Sequence, residues 1–305
     1  MIEFFGKLSD HLGFPVMSSS HGLEIDYMNG WVHWLMLVLF VGWGIFFIIV
    51  LIRFRSGANP KANYTGVTSH YSQYTEYGVI FFEAFLLIGF AYPMWAKMKT
   101  NVPVVDKNTV VVNVVAQQFA WNIHYPGADG KFGETNLNLV DEETNPIGLD
   151  RNSPNGADDI TTINQLHLPV DKQAMIYLSS KDVIHSLALP EMRVKQDAIP
   201  GMTIPVFFTP TMTSAEFLEE IKGTSRFNPS GHYMGVGKEA WDIFNEESKN
   251  EFRGYQISCA QLCGNSHYKM RGFMTIHEEE DFESWLAEQA EELEDEGDDW
   301  GDDDW

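Results

Sequence analysis

The sequence predicts a membrane hairpin of two helices, then an all-β domain, then an acidic tail that is mostly disordered. Three observations carry this prediction. Two long apolar runs lie near the start, short β-rich runs separated by turn residues begin at Thr109, and the last residues are rich in acids and free of bases. At 305 residues the chain has room for about two domains. A content of 44% hydrophobic and 13% aromatic residues excludes a mainly disordered or collagen-like protein.

Residues 31–52 read WVHWLMLVLFVGWGIFFIIVLI, without Asp, Glu, Lys or Arg. As a helix rising about 1.5 Å per residue, this run reaches roughly 33 Å, enough to cross a hydrocarbon core of about 30 Å. The second run, 77–95 (YGVIFFEAFLLIGFAYPMW), is just long enough and contains one acid, Glu83. Tryptophans near the ends fit the membrane interface. The loop between the runs carries Arg53, Arg55 and Lys61, with no acid before Glu76. The positive-inside rule therefore puts this loop in the cytoplasm and both termini outside, with Lys97 and Lys99 as a mild counter-signal. Residues 1–30 form an extramembrane segment without a secretory-signal pattern, so the first helix does the targeting.

From Thr109 the runs TVVVNVVAQ, WNIHYPG, ITTINQLHLPV, QAMIYLSS, TIPVFFT, GYQIS and FMTIH predict an antiparallel sandwich or barrel over 103–277. Two stretches interrupt it: a loop-like, acidic 126–159, and 211–252, where SAEFLEEIK and EAWDIFNEESKNEF read as helical. Loops of this length are usually functional, and contact with another subunit is the favoured use of the second. The tail, 278–305, holds 16 acids and no base, leaving 27 acids against 20 bases elsewhere; the overall net charge of −23 thus resides largely in the tail. Phe282, Trp285, Leu286 and Leu293 have helix-like spacing before the chain dissolves into DEGDDWGDDDW. With no basic patch, nucleic-acid binding is excluded.

The chemistry concentrates late in the β region. Cys259, Cys263, His267 and Met270 fall within 12 residues between two strand-like runs, and a distant imidazole, His185, stands in DVIHSLALP. Two cysteines leave a disulfide, free thiols or a metal site open. Soft sulfur combined with imidazole suits copper, and a loop pinned by strands gives a redox ion constant surroundings. A second cysteine points to two thiolates bridging two copper ions.

With these residues in order behind two membrane helices, residues 27–277 resemble subunit II of the heme–copper cytochrome c oxidases. The family pattern C-x-E-x-C-x-x-x-H-x-x-M, an upstream D-V-x-H-S-x-x-x-P and a K-x-D-A-I-P-G correspond to Cys259–Met270, Asp182–Pro190 and Lys195–Gly201. The resemblance implies a cupredoxin-like Greek-key barrel on the outer membrane face, holding the dinuclear copper centre CuA. It implies that Cys259 and Cys263 bridge the ions. His185 and Met270 would complete one ion, and His267 with the backbone carbonyl of Gln261 the other. It further implies heme-bearing subunit I and other oxidase subunits as partners. Cytochrome c, not quinol, is the implied donor, because the ligands that quinol-oxidising relatives lack are present.

Several positions depart from the family. Gln261 replaces an acid that helps hold magnesium, leaving Gln261 and Asp197 as candidates at the subunit I interface. The donor-facing stretch becomes Ala116-Gln-Gln-Phe119-Ala-Trp121-Asn-Ile-His124-Tyr125, so electrons are expected to enter through Phe119 and Trp121. His124 and Lys181 replace docking acids, which favours a dedicated cytochrome c domain, as in a respiratory supercomplex, over a freely diffusing basic cytochrome. Glu76 matches a proton-uptake carboxylate, and Glu83 is an unexpected acid deeper in the helix. The sequence contains no C-x-x-C-H heme motif, so oxygen chemistry is expected in subunit I of a proton-pumping oxidase. A bacterial plasma membrane is expected ahead of a mitochondrial inner membrane. The residues also leave open a membrane-tethered CuA carrier serving another reductase, a nitrous-oxide reductase and a copper chaperone.

Overall fold

The computed structural model describes residues 14–61, 64–65, 69–223 and 255–298. The chain forms two compact units, Leu23–Asn101 with residues 1–14, and Val102–Trp305 with Pro15–Gly22.

The first unit is a helical hairpin. Helix α1, Gly22–Arg53, begins well before the uncharged run, with Glu24 in its first turn and Arg53 in its last, charges that complement the helix dipole. Helix α2 spans Tyr71–Lys99. Both are long and apolar enough to cross a membrane, and the most apolar window of each is almost entirely unburied within the protein. At Leu87–Ala91 helix α2 widens into a π turn. The physical cause is Pro93, whose ring clashes with a carbonyl four residues back and removes one hydrogen bond. Lys97 Nζ meets Glu24 Oε1 at 2.6 Å, joining the end of α2 to the start of α1. Glu76 and Glu83 are both exposed on α2.

The second unit stacks two five-stranded sheets. The first orders β3 (Ile160–Ile163), β2 (Ala120–Tyr125), β1 (Thr109–Gln117), β5 (Gln173–Ser180) and β8 (Ile204–Phe208). The second orders β4 (Gln165–Pro169), β10 (Arg271–His277), β9 (Tyr255–Cys259), β6 (His185–Leu189) and β7 (Val194–Ala198). The alternation in β1 turns Val112, Val114 and Ala116 into the core between the sheets, with Trp121, Leu166, Leu178, Leu187 and Ile257. The expected antiparallel arrangement needs correction at two places: β1 runs parallel to β5, and β4 parallel to β10. Alternation reports which face is buried and carries nothing about the direction of a partner strand.

The 126–159 insert lies over the outer face of the first sheet. Asn122 and His124 on β2 are consequently buried along with Trp121, Ile123 and Tyr125, so this strand has no solvent face. Residues 15–22 add to the domain edge: Ser18 N donates to Glu191 O at 2.9 Å and Ser20 N to Thr209 O at 3.0 Å. Helix α3, Ser214–Gly223, starts with a reciprocal cap in which Thr213 N donates to Glu216 Oε2 and Glu216 N to Thr213 Oγ1. The EAWDIFNEESKNEF stretch lies outside the described residues.

The expectation of a mostly disordered tail is corrected over Glu279–Asp298, which forms helix α4. Phe282 is buried, and Trp285, Leu286 and Leu293 pack against the core, while Glu280, Asp281, Glu283 and Glu288 are exposed. Trp285 stacks on His167 with ring centroids 4.1 Å apart and planes 1° from parallel. Apolar spacing outweighed acidic composition because a matching surface waits on β4 and β10.

Candidate metal centre

His185 opens β6 and is fully buried. The neighbouring strand β9 ends at Cys259, paired opposite Leu187, so the sheet register alone brings the imidazole and the first thiol to one edge. The chain then leaves the sheet, turns through His267–Lys269 and re-enters as β10. Five backbone bonds brace this loop: Ala260 N to Ser186 O, Cys259 N to Met270 O, His267 N to Gly264 O, Lys269 N to Ser266 O and Met270 N to His267 O, at 2.9–3.3 Å. Gly264, at φ +136°, makes the turn and lies against the Phe119 ring.

The loop brings the predicted ligands together. Cys259 Sγ and Cys263 Sγ are 3.8 Å apart, and both thiols are free. That separation is far beyond a disulfide bond of about 2.05 Å. His185 Nδ1 lies 3.2 Å from Met270 Sδ and 3.9 Å from Cys259 Sγ. His267 Nδ1 lies 3.4 Å from Cys263 Sγ, Met270 Sδ lies 3.7 Å from the same sulfur, and Cys259 Sγ is 3.2 Å from the Gln261 carbonyl oxygen. The donor atoms of His185, Cys259 and Cys263 all fall within 4.8 Å of one another, a spacing that can hold a metal ion.

Burial and the adjacent Cys259 thiol push the Cys263 thiol up to about 11. A thiol so raised stays protonated at neutral pH, and a bound cation would supply the charge that ionises it. The donor set, two thiols, two imidazoles, a thioether and a carbonyl, fits copper in its chemistry.

Two residues outside the predicted ligand set fix the geometry. His185 Nε2 donates to Asp182 Oδ1 at 2.8 Å, which assigns the tautomer and leaves the Nδ1 lone pair toward the sulfurs. Burial pushes the Asp182 carboxyl up, but bonds from His185, Gln118 N and Val183 N outweigh it and hold the group below the ordinary range. Gln118 also donates through Nε2 to the Cys263 carbonyl, so one residue clasps both halves of the centre. Asp182, three residues before His185, was visible in the sequence; Gln118 gave no signal, since its contacts cross 64 and 145 residues.

The other predicted residues are dispersed. Phe119 is half-buried against the ligand loop, whereas Trp121 is fully buried with its ring 6.3 Å from that of His185. Of the two, Phe119 alone has surface that a donor can touch. His124, expected at a docking face, is buried and bonded to Asp159 at 2.5 Å. Lys181 pairs with Glu142 at 2.8 Å. Asp197 is half-buried on β7 opposite Ser186, and the Gln261 side chain is exposed.

Fold and site together define a β-sandwich preceded by two helices long and apolar enough to cross a membrane, with a sulfur- and imidazole-rich cluster at one sheet edge that can hold a metal. Residues 110–217 match the family model described as cytochrome c oxidase subunit II, periplasmic domain. That stretch includes Phe119, Trp121 and His185 and ends before Cys259.

The alternative cytochrome c oxidase subunit 2 of Bradyrhizobium diazoefficiens is 31% identical over 186 residues, 61% of this chain and 53% of that protein. The cytochrome c oxidase subunit 2 of Thermostichus vulcanus is 29% identical over 176 residues, 58% of this chain and 32% of that protein. The chain thus spans about half the length of the first relative and about a third of the second. Among solved structures, the periplasmic domain of subunit II of cytochrome oxidase of Bradyrhizobium japonicum gives a TM-score of 0.36 at 23% identity, covering 63% of this chain and 99% of that one.

Proposed function

We propose that this chain is the copper-bearing subunit of a proton-pumping cytochrome c oxidase. It accepts electrons from a cytochrome c and passes them toward the hemes of subunit I, where oxygen becomes water. The observation that carries the reading is the convergence of His185, Cys259, Cys263, His267, Met270 and the Gln261 carbonyl on one braced loop. When bound, a dinuclear copper centre supplies one-electron redox capacity spread over two ions, which keeps reorganisation small.

The chain's own residues hold that centre. Cys259, Cys263, His185, His267, Met270 and the Gln261 carbonyl would hold the copper. Asp182 fixes the His185 ring, Gln118 ties the loop to the strand before it, and burial of Cys263 and Met270 keeps water from the sulfurs. Phe119 is the surface through which electrons enter, and Trp121 supports His185 from the core. Asp197 and Gln261 face subunit I as candidate magnesium ligands, and Glu76 takes up protons.

The anchored domain, 103–277, lies on the outer face of a bacterial plasma membrane, with 31–52 and 77–95 in lipid and both termini outside. The donor is a dedicated cytochrome c domain, because the expected docking positions hold a buried His124 and a paired Lys181. Copper counting and electron paramagnetic resonance on the full chain in detergent test the assignment. Two ions per chain sharing one unpaired electron are expected; a single-copper spectrum, or no copper retained, refutes it.

A further inference from the structure

The insert and the sheet beneath it line a half-open cavity of about 330 Å³ whose lining is arranged in two layers. Its floor is the outer face of the first sheet, where register puts polar side chains side by side. His124, Asn113 and Tyr177 form one cross-strand row on β2, β1 and β5. In the next row toward the cavity's other end, Ser179 on β5 pairs with Val115, and Thr203 lines the wall just before β8. The roof is mainly apolar: Val140, Pro146 and Ile147 come from the insert, with Thr135 as its one polar member, and Leu137 stands at the rim, 91% exposed.

His124 is the most constrained member of the floor. It is 2% exposed, its Nε2 is engaged by Asp159, and Nδ1 has no hydrogen-bond partner among the described residues. With Nε2–H donating to the Asp159 carboxylate, the neutral ring retains Nδ1 as an acceptor. Asp159 is itself anchored by Gly127 N and Gly133 N, so the dyad fastens the insert and fixes the ring together. The cavity's two basic members are each matched by an acid, His124 by Asp159 and Lys181 by Glu142.

We infer that this cavity is a binding site for a small, uncharged, hydroxyl-bearing aromatic compound. The volume lies within the range of small-molecule sites, about 300–1,000 Å³. Paired charges leave nothing to neutralise a charged ligand. A ring with apolar faces and hydroxyls on its edge satisfies both layers: its face lies under the Val140–Ile147 roof and one hydroxyl donates to His124 Nδ1. A sugar would leave hydroxyls unpaired against that roof, at a cost. The site is distinct from the metal centre and does not depend on it.

The test is equilibrium dialysis of radiolabelled resorcinol against the full chain in detergent, with detergent-only blanks and parallel arms using meta-xylene and glucose. Saturable binding of resorcinol is expected, with meta-xylene and glucose each weaker by roughly tenfold, the scale of one well-made hydrogen bond. His124→Gln should weaken resorcinol by about the same factor. Val115→Phe fills the cavity from the insert-covered outer face of β1 without touching the core, and should abolish binding while copper uptake stays at the wild-type level. The inference is overturned if resorcinol does not saturate, if meta-xylene or glucose binds as well as resorcinol, or if Val115→Phe binds it unchanged.

Discussion

Replacing Asp182 with alanine tests whether the metal centre depends on an orienting carboxylate as the geometry requires. The side chain accepts from His185 Nε2 at 2.8 Å, Gln118 N at 2.7 Å and Val183 N at 2.6 Å. Removing a partner that orients a metal-binding imidazole lowers metal affinity by about 10–100-fold. Here the loss reaches both arms of the centre, since the Gln118 turn also grips the Cys263 carbonyl. The expected loss is therefore in the upper part of that range, about 30–100-fold, or roughly 2–2.7 kcal/mol. Competitive copper titration of the full chain against a chelator at fixed pH reads this directly. Asp182→Asn keeps an acceptor oxygen for the ring and should fall within about fivefold of wild type. An alanine variant with wild-type affinity refutes the orienting role, and an asparagine variant as weak as alanine shows that charge, not orientation, is what Asp182 supplies.

Four further outcomes follow from named contacts. Gly264→Ala puts a Cβ 2.7 Å from Gln118 Nε2 at φ +136°, and should cut copper retention on gel filtration while leaving the β circular-dichroism signal intact. Trp285→Ala removes the stack on His167 and the edge contact with Tyr125 at 5.3 Å. For a half-buried tryptophan it should cost about 2 kcal/mol in denaturant unfolding of the domain, whereas a solvated tail would give none. His124 and His277 are held below the ordinary imidazole value, in each case chiefly by burial against an opposing acid. The folded domain then binds fewer protons than the unfolded chain, so stability is full above about pH 6.5 and falls as pH drops below it. Denaturant midpoints at about pH 7.5 and about pH 5.5 should show that fall, and His124→Asn should reduce it. Glu76→Ala should slow proton uptake by the assembled oxidase and leave copper content unchanged; unaltered turnover removes Glu76 from the pathway.

The candidate ligand cluster was legible because five of its six positions sit within 12 residues, and four of those five carry a sulfur or imidazole side chain. His185 was legible through its own motif, but the reason it reaches the sulfurs is the β6–β9 register. Gln118 was not legible, because an exposed glutamine looks ordinary until the Cys263 carbonyl is found beside it. Trp121 was expected to share electron entry with Phe119, and His124 to stand at a docking position; the motif carried nothing of the burial of either side chain between the sheets and beneath the insert.

By itself the sequence determined the composition of each layer: which helices are apolar enough for lipid, which strand faces turn inward, and which donors are soft. These are local properties, written in runs and periods of a few residues. The tertiary structure alone decided strand direction, the fate of the acidic tail, the second face of β2 and the cavity beneath the insert. Each of these depends on a partner surface tens of residues away, and no local pattern encodes where that surface will stand.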